Sequence, residues 1–375
     1  MRRVQIETFL DESKNGLLLD VRSPGEFNHA HIPGAVNLPL FTNEERKEVG
    51  TTYKQVSREA AIKIGLDFFG PKMRGMVEEV EKLLAGYSGW AVNENKDTRT
   101  TVPIFLYCWR GGMRSGAIAW LLNLYGFNVT VLAGGYKAFR NEVLRSFELY
   151  GCFKIIGGYT GSGKTEVLQQ LSRNGEKVID LEKLASHKGS AFGNINMPPQ
   201  PSQEMFENLL SVELVAASQK LENINANLST PQTGGIWLED ESQRIGLVNI
   251  PGHFWENMRR SPVYFLDIPF EERLEHILEE YSPLDKERLR NAIERINKRL
   301  GGLETKNAIR FLEEGNTREC FRILLHYYDK QYTKGLHNRQ NLSTLLTKIP
   351  CEKVSVDNAG LVSQAQVAST YAGTH

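Results

Sequence analysis

The 375-residue sequence contains only four cysteines, and no two of them form a C-x-x-C pair. That spacing argues against a zinc ribbon or a thioredoxin-type redox motif. The sequence also lacks a signal-peptide core near its N-terminus and any run of about 18 apolar residues that could span a membrane. We therefore expect a soluble, cytoplasmic protein with free thiols.

The sequence has no excess of charge of either sign, because 45 Lys and Arg residues balance 45 Asp and Glu residues. A strongly basic chain would indicate nucleic-acid binding. This balance neither indicates nor excludes it, since local basic patches bind phosphates on neutral proteins. The length exceeds what one hydrophobic core usually supports, so two domains are expected.

Strand-like apolar runs alternate with helical segments, which predicts an α/β fold with parallel sheets. We place a first domain at residues 1–140, a second at 151–355 and a polar, frayed tail at 356–375. The charged insertion 44–87 is predicted as two helices broken at Gly70-Pro71. In the second domain "KVIDLE", "GIWLED" and "VYFLDIP" are predicted strands, and the chain beyond them is predicted helical.

The stretch "LYCWRGGMRS" places Cys108 directly after a predicted buried strand. Ligand sites in parallel sheets form at that end of a strand, where loop amides and a helix N-terminus can bind an anion. Gly111 and Gly112 let the backbone curl, while Arg110 and Arg114 add positive charge. These features favour the thiolate and predict a nucleophile, against the alternative of a buried core cysteine.

A second motif, "GYTGSGKT", matches the phosphate-binding pattern G-x-x-x-x-G-K-[ST] between a predicted strand and a predicted helix. The residues expected to hold phosphates are Gly158, Gly161, Ser162, Gly163, Lys164 and Thr165. The Thr165 hydroxyl can also bind Mg²⁺. No tightly bound cofactor is expected.

Carboxylates follow two of the predicted strands. Asp180 comes after "KVI", and Glu239 and Asp240 come after "GIW". Each is either the metal-side carboxylate that nucleotide enzymes place on a neighbouring strand or a cap at the strand end. Arg244, in the polar stretch that follows, is a candidate phosphate or RNA contact.

The segment "DKERLRNAIERINKRLGG" carries six Lys or Arg residues against three Asp or Glu residues. A patch of this kind can bind the RNA backbone, although a solvated helix face is an equal alternative. Further basic residues that could join it are Lys183, His187, Lys188, Arg259 and Arg260.

Three stretches, "LLLDVRSPGEFNHAHIPGAVNLPL", "LYCWRGGMRS" and "VTVLAGGYKAF", together resemble a rhodanese domain over roughly residues 5–140. The resemblance implies that Cys108 matches the sulfur acceptor and that Asp20, Arg22 and Glu26 support the fold and the loop. Common rhodaneses have a C-x-x-G-x-R loop. The span to Arg114 is one residue longer, as in phosphatases, and suits a tetrahedral phosphate better than a lone sulfur.

Together with "GGYTGSGKTE", "DLEKLASHKGSAFG" and "WLEDESQRIG" in this order, the chain resembles the bacterial tRNA 2-selenouridine synthase family. The resemblance implies an enzyme that geranylates the sulfur of wobble 2-thiouridine in lysine, glutamate and glutamine tRNAs, using geranyl diphosphate. Selenium from selenophosphate then replaces the geranylated sulfur. Cys108 would take selenium as a perselenide-like adduct while Arg110 and Arg114 bind the phosphate. The glycine loop would bind the diphosphate.

Two other classes of function stay open at this point. One is a phosphatase or sulfurtransferase fused to a small-molecule kinase, which turnover of ATP with a metabolite would favour. The other is a non-catalytic RNA-binding adaptor. Intact Cys108, Arg114 and Lys164 argue against the adaptor, because a binding module needs none of them.

Overall fold

The computed structural model describes residues 1–86, 102–149, 153–226, 235–281 and 284–372, and among these the side chains of all but 219–226 and 368–372. The end of the predicted insertion at Tyr87, Cys152 and the end of the predicted tail at 373–375 lie outside the described residues. The chain divides into two compact units, Met1–Arg145 and Ser146–His375.

The first unit is built on a five-stranded sheet in which all neighbouring strands are parallel. Its strands are β1 (Arg2–Val4), β2 (Leu17–Asp20), β3 (Val36–Asn37), β4 (Ile104–Tyr107) and β5 (Val129–Leu132). The order across the sheet is β1-β5-β4-β2-β3. Every residue of β2, β4 and β5 is buried, as expected for central strands of a parallel sheet.

Among the described residues, seven helices accompany this sheet. They are α1 (Ile6–Ser13), α2 (Pro24–His29), α3 (Asn43–Gln55), α4 (Arg58–Phe69), α5 (Met73–Ala85), α6 (Met113–Leu124) and α7 (Gly135–Leu149). A 3₁₀ turn at Gly70–Lys72 separates α4 from α5, and α7 continues across the division between the two units.

The predicted insertion contains three helices where two were predicted. The break at Gly70-Pro71 is confirmed, but a second break separates α3 from α4. Val56 leaves the helical conformation with φ −113° and ψ −83°. The Ser57 hydroxyl then caps α4 by accepting a hydrogen bond from the Ala60 N–H at 3.0 Å. Serine is a preferred N-cap residue, so the sequence carried a signal for this break.

The second unit has a four-stranded parallel sheet and a small antiparallel ribbon. The sheet strands are β6 (Phe153–Gly158), β7 (Ile236–Glu239), β10 (Val263–Asp267) and β11 (Leu346–Pro350), and the ribbon consists of β8 (Arg244–Ile245) and β9 (Val248–Asn249). The order across the sheet is β11-β10-β6-β7.

The helices of the second unit are concentrated towards its C-terminal part. They are α8 (Lys164–Arg173), α9 (Leu181–Ala185), α10 (Gln203–Ala226), α11 (Gly252–Arg260), α12 (Phe270–Tyr281), α13 (Lys286–Arg295), α14 (Asn297–Leu300), α15 (Gly302–Glu313), α16 (Thr317–His337), α17 (Leu342–Leu345) and α18 (Asn358–Ala372). The predicted α/β architecture with parallel sheets and a helical C-terminal part is confirmed. None of the described helices is long and apolar enough to cross a membrane.

Two segments differ from the prediction. In "KVIDLE" only an isolated bridge between Val178 and Trp237 forms, because Asp180 caps α9 by accepting the Lys183 N–H at 2.8 Å.

The prediction of a frayed C-terminal tail is wrong for residues 358–372, which form α18. Ala359 and Val362, three residues apart on that helix, are buried in a hydrophobic cluster of the second unit, and this packing holds a weakly amphipathic sequence in place.

Candidate functional site

Cys108 lies at the carboxyl edge of the first sheet, immediately after β4, with only 3% of its surface exposed. Its carbonyl accepts the Tyr136 N–H at 2.8 Å, so the loop packs against the start of α7. Gly111 has φ +63°, and a Cβ at this position would lie 2.4 Å from the Leu132 carbonyl oxygen. The tight curl of this loop therefore requires glycine at position 111.

Opposing effects act on the Cys108 thiol. Burial raises its pKa, but the Ser115 hydroxyl at 3.2 Å, the N–H groups of Ser115 and Arg110 and the charge of Arg114 together hold the pKa below its usual value. Cys320 shows the contrast, because burial alone raises its pKa to about 12. Of these two buried thiols, Cys108 is the one prepared to react as a thiolate.

The two arginines of the loop differ in their surroundings. The Arg114 Nη1 donates to Glu26 Oε2 at 2.7 Å, and both side chains are largely buried. Burial raises the pKa of Glu26, but Arg114, the Ser23 N–H and Arg46 outweigh it and lower the pKa. Arg110 is exposed and has no ion pair among the described residues. Arg114 is therefore held in a set position, and Arg110 is available to an incoming anion.

Asp20 and Arg22 form a buried ion pair beside this loop, with Arg22 Nη2 2.6 Å from Asp20 Oδ2. The same nitrogen donates to the Ala30 carbonyl at 2.6 Å, and the guanidinium stacks over the Tyr136 ring at 3.9 Å. These contacts tie the end of β2 to α7 and to the segment after α2. The pair supports the fold, as the resemblance to a rhodanese domain implied.

The glycine loop of the second unit runs from β6 into α8, and Gly158, Gly161 and Gly163 have positive φ angles of 154°, 78° and 70°. Arg273 on α12 donates to the Thr160 carbonyl at 3.0 Å and is held by two bonds to Asp329, at 2.9 and 2.8 Å. The C-terminal helices α12 and α16 thus position this loop. Within the described part of the chain, the buried Ser162 hydroxyl has no hydrogen-bond partner.

A cavity of about 930 Å³ opens beside the glycine loop. Lys164 and Thr165 form one part of its wall, and Trp255 and Tyr327 contribute aromatic surface elsewhere. The Lys164 Nζ lies 3.2 Å from the Gly158 carbonyl oxygen. Loop amides at a helix N-terminus favour an anion, so the cavity suits a ligand that carries phosphate at one end and apolar groups at the other.

The predicted acidic residues separate into different roles. Both carboxylate oxygens of Asp240 are engaged by Arg339 at 2.7 and 2.8 Å, and the Tyr332 hydroxyl donates to one of them at 2.7 Å. Asp180 caps α9. Glu239 is buried in the cavity wall, with 2% of its surface exposed.

Glu239 lies beside two carboxylates that sequence reasoning missed, Glu182 and Glu241. Their oxygens all lie within 4.8 Å of one another. Glu182 follows Asp180 by two positions and Glu241 follows Glu239 by two. The signal in the sequence that could have identified these two residues was the short acidic stretches in which they lie. The three side chains come from α9, from the end of β7 and from the segment after it, and they meet only in the folded chain.

The predicted basic patch is only partly assembled at this cavity. Arg244 donates to the Gly246 carbonyl at 2.9 Å and does not line the cavity. His187 is buried, Lys188 pairs with Glu280, and Arg259 donates to the Gly335 carbonyl at 2.8 Å. Lys183 is exposed on α9 but is not part of the wall. Arg260 and Arg299 are exposed, line the cavity and could contact a phosphate backbone.

Two family models match the chain. The model described as "tRNA 2-selenouridine synthase AAA domain" matches residues 152–349, and the rhodanese-like domain model matches residues 5–67 and 71–142.

Two curated relatives agree with these matches, and one solved structure is similar in sequence to part of the chain. A tRNA 2-selenouridine synthase from Nitrosomonas europaea is 38% identical over 74% of this chain and 67% of its own length. One from Bdellovibrio bacteriovorus is 33% identical over 86% of this chain and 89% of its own length. A solved N-terminal domain from Clostridium difficile 630 is 40% identical over 38% of this chain and 98% of that domain, with a TM-score of 0.32.

Proposed function

The chain belongs to the tRNA 2-selenouridine synthase family, and from that premise we propose how its two sites divide the work of selenium transfer to tRNA. One observation carries the proposal. A single chain holds both a thiol of lowered pKa in a phosphate-sized loop and a glycine loop at the mouth of a large cavity. Two anion sites of different size suit two different phosphate-bearing substrates.

The glycine loop is proposed to bind geranyl diphosphate. The 2-thiouridine sulfur attacks the first carbon of the geranyl group, the carbon–oxygen bond breaks, and diphosphate leaves with the electron pair. Lys164 and the loop amides stabilise the negative charge that develops on the diphosphate. Aromatic side chains of the cavity, such as Trp255 and Tyr327, offer contact surface for the isoprenoid.

The cysteine loop is proposed to bind selenophosphate. Arg110 and the loop amides hold its phosphate oxygens, and the Arg114 guanidinium, fixed by Glu26, keeps the thiol ionised. The substrates are proposed to be the lysine, glutamate and glutamine tRNAs, with 2-thiouridine at the wobble position. Because tRNA is the substrate, we place the reaction in the cytoplasm.

The balance of electrons indicates which atom of selenophosphate the Cys108 thiolate attacks. A perselenide adduct, as expected from the sequence, requires phosphorus to leave reduced, as phosphite. Attack of the thiolate on phosphorus leaves the oxidation states of phosphorus and selenium unchanged, since a sulfur–phosphorus bond forms and hydroselenide leaves. Hydroselenide then adds to the carbon that bears the geranylated sulfur, geranyl thiol departs, and water releases phosphate from Cys108. We therefore favour attack on phosphorus, in a loop of phosphatase length.

The experiment is mass spectrometry of nucleosides from thiolated tRNA incubated with the full chain and each donor in turn. Cys108→Ala should abolish selenation and keep geranylation, with Cys351→Ala as the matched control. Full selenation by Cys108→Ala would show that the cysteine is not required for selenation. Phosphorus NMR of the same mixture should show phosphate as the product, and phosphite would restore the perselenide route.

The glycine loop is tested separately. Lys164→Ala should slow geranylation at least about a hundredfold, because a charged contact to the leaving group is lost. Lys306→Ala, an exposed lysine on α15 away from the cavity, should match the unaltered protein. Unchanged geranylation kinetics in Lys164→Ala would exclude this loop from the step. ATP consumption without tRNA would instead favour a kinase.

A further inference from the structure

The cavity of the second unit contains three carboxylates that face one another. Glu182 lies in the first turn of α9, Glu239 ends β7, and Glu241 follows two residues later. Their oxygens lie within 4.8 Å of one another, and all three residues line the cavity beside Lys164. Like charges at this distance repel, so the arrangement is costly unless a cation or protons offset it.

The protein offers this cluster little neutralisation of its own. None of the three carboxylates forms an ion pair with Arg, Lys or His among the described residues, whereas Asp240 next to them is fully engaged by Arg339. The single ammonium of Lys164 acts on all three, yet its nitrogen donates to the Gly158 carbonyl. One positive charge faces three acids.

A second observation concerns a buried oxygen without a hydrogen-bond partner. Glu239 is 98% buried, and its Oε1 has no hydrogen-bond partner among the described residues, although burial normally requires one. Burial and the neighbouring acids raise the pKa of all three carboxyl groups, that of Glu182 to about 10, that of Glu239 to about 7 and that of Glu241 to about 8. A buried carboxylate oxygen without a donor is what a bound cation would coordinate.

The backbone also leaves room at this point. Gly189 has φ +64°, and a Cβ there would lie 2.6 Å from Glu241 Oε2 and 3.0 Å from Glu182 Oε1. Any larger residue would push these carboxylates apart or into the gap between them. The absence of a side chain at position 189 keeps the three acids close together.

We propose that Glu182, Glu239 and Glu241 bind a divalent cation of the Mg²⁺ or Mn²⁺ class, and that they bind it before any diphosphate enters the cavity. Hard cations of this class prefer carboxylate oxygens. The Thr165 hydroxyl hydrogen-bonds Glu239, so the cluster adjoins the glycine loop. Binding of the cation rests on the three carboxylates alone and does not depend on the identity of the phosphate substrate.

The test is calorimetric titration of the full chain with Mn²⁺ in the absence of any phosphate compound. We expect one Mn²⁺ per chain, and a loss of affinity of about tenfold or more in Glu182→Gln and in Glu241→Gln. Glu256→Gln removes an exposed carboxylate from the wall of the same cavity outside the cluster, and should bind Mn²⁺ as the unaltered protein does. Failure of the unaltered protein to bind, or equal affinity in all variants, overturns the proposal.

Thermal unfolding separates a lost site from a lost fold. Without metal, Glu182→Gln should melt at about the temperature of the unaltered protein, because a neutral amide of the same size replaces a carboxyl group whose pKa is raised to about 10. Mn²⁺ should raise the melting temperature of the unaltered protein and of Glu256→Gln, but not that of Glu182→Gln. An equal Mn²⁺-induced rise in Glu182→Gln would contradict the proposal. Mn²⁺ binding without pyrophosphate binding would leave the cation site intact and count against the proposed geranylation site.

Discussion

At Cys108, two effects of opposite sign act on one thiol, and the hydrogen bonds outweigh burial. A cysteine with 3% of its surface exposed would normally be inert, as Cys320 is expected to be. The Ser115 hydroxyl and N–H lie in the first turn of α6, so the start of this helix supplies donors that the strand end lacks. The lowered pKa of this residue depends on one turn of the following helix.

The pKa of Cys108 should therefore depend on Ser115. Ser115→Ala removes the hydroxyl that lowers the pKa, so less thiolate is present near pH 7 and alkylation by iodoacetamide slows, by about tenfold for each pKa unit. The measurement is the alkylation rate against pH, whose midpoint should move upward. Cys320 and Cys351, whose pKa values burial raises, serve as unreactive internal controls. An unshifted midpoint would exclude the hydroxyl from this role.

The connections between elements decide the shape of both sites. The cysteine loop joins β4 to α6, and the glycine loop joins β6 to α8, each at the carboxyl edge of a parallel sheet. In both loops a glycine with positive φ replaces a side chain where the backbone must pack closely. The two motifs differ in sequence, but in both of them glycine lets the backbone curl sharply at the end of a strand.

Two glycines that follow Cys108 should respond differently to substitution. Gly111→Ala forces a Cβ to 2.4 Å from the Leu132 carbonyl in a left-handed conformation, and should cost about 1–3 kcal/mol and slow Cys108 alkylation. Gly116→Ala is the matched control, because position 116 lies within α6 and nothing lies within 4 Å of the added carbon. Urea unfolding and alkylation measure both effects. Similar behaviour of the two variants would contradict this account of the loop.

Element boundaries show where sequence reasoning succeeded and where it did not. The strands β2, β4, β6 and β10 were predictable, since each is a short apolar run bounded by polar or turn residues. The stretch "KVIDLE" has the same appearance, yet Asp180 begins a helix there. An aspartate can end a strand or cap a helix, and local sequence alone does not distinguish the two.

For the whole molecule, each of the two units carries one of the two candidate sites, on its own sheet and with its own core. The second unit also uses its C-terminal helices to position the glycine loop, through Arg273 on α12 and Tyr332 on α16. Ligand binding at this loop should therefore be felt in helices that are distant in sequence. Hydrogen exchange can test that expectation on the full chain.

Pyrophosphate should slow amide exchange in Gly158–Thr165, in α8 and in the parts of α12 and α16 that contact the loop, because a ligand that binds only the folded state suppresses local opening. Lys164→Ala should lose this protection, and Lys306→Ala should keep it. Hydrogen-exchange mass spectrometry resolves these segments. Equal protection in both variants would show that pyrophosphate does not bind through Lys164 of the glycine loop.

The sequence by itself determined the α/β class, the order of the two motifs and the reactive candidates Cys108 and Lys164. These features are local, because a strand, a glycine loop and a helix follow one another within about twenty residues. Tertiary structure alone decided how charges are partnered. Arg114 meets Glu26 across the first unit, Asp240 is taken by Arg339, and Glu182 joins Glu239 and Glu241. Each pairing links residues from separate elements, and only packing specifies which side chains meet when the chain folds.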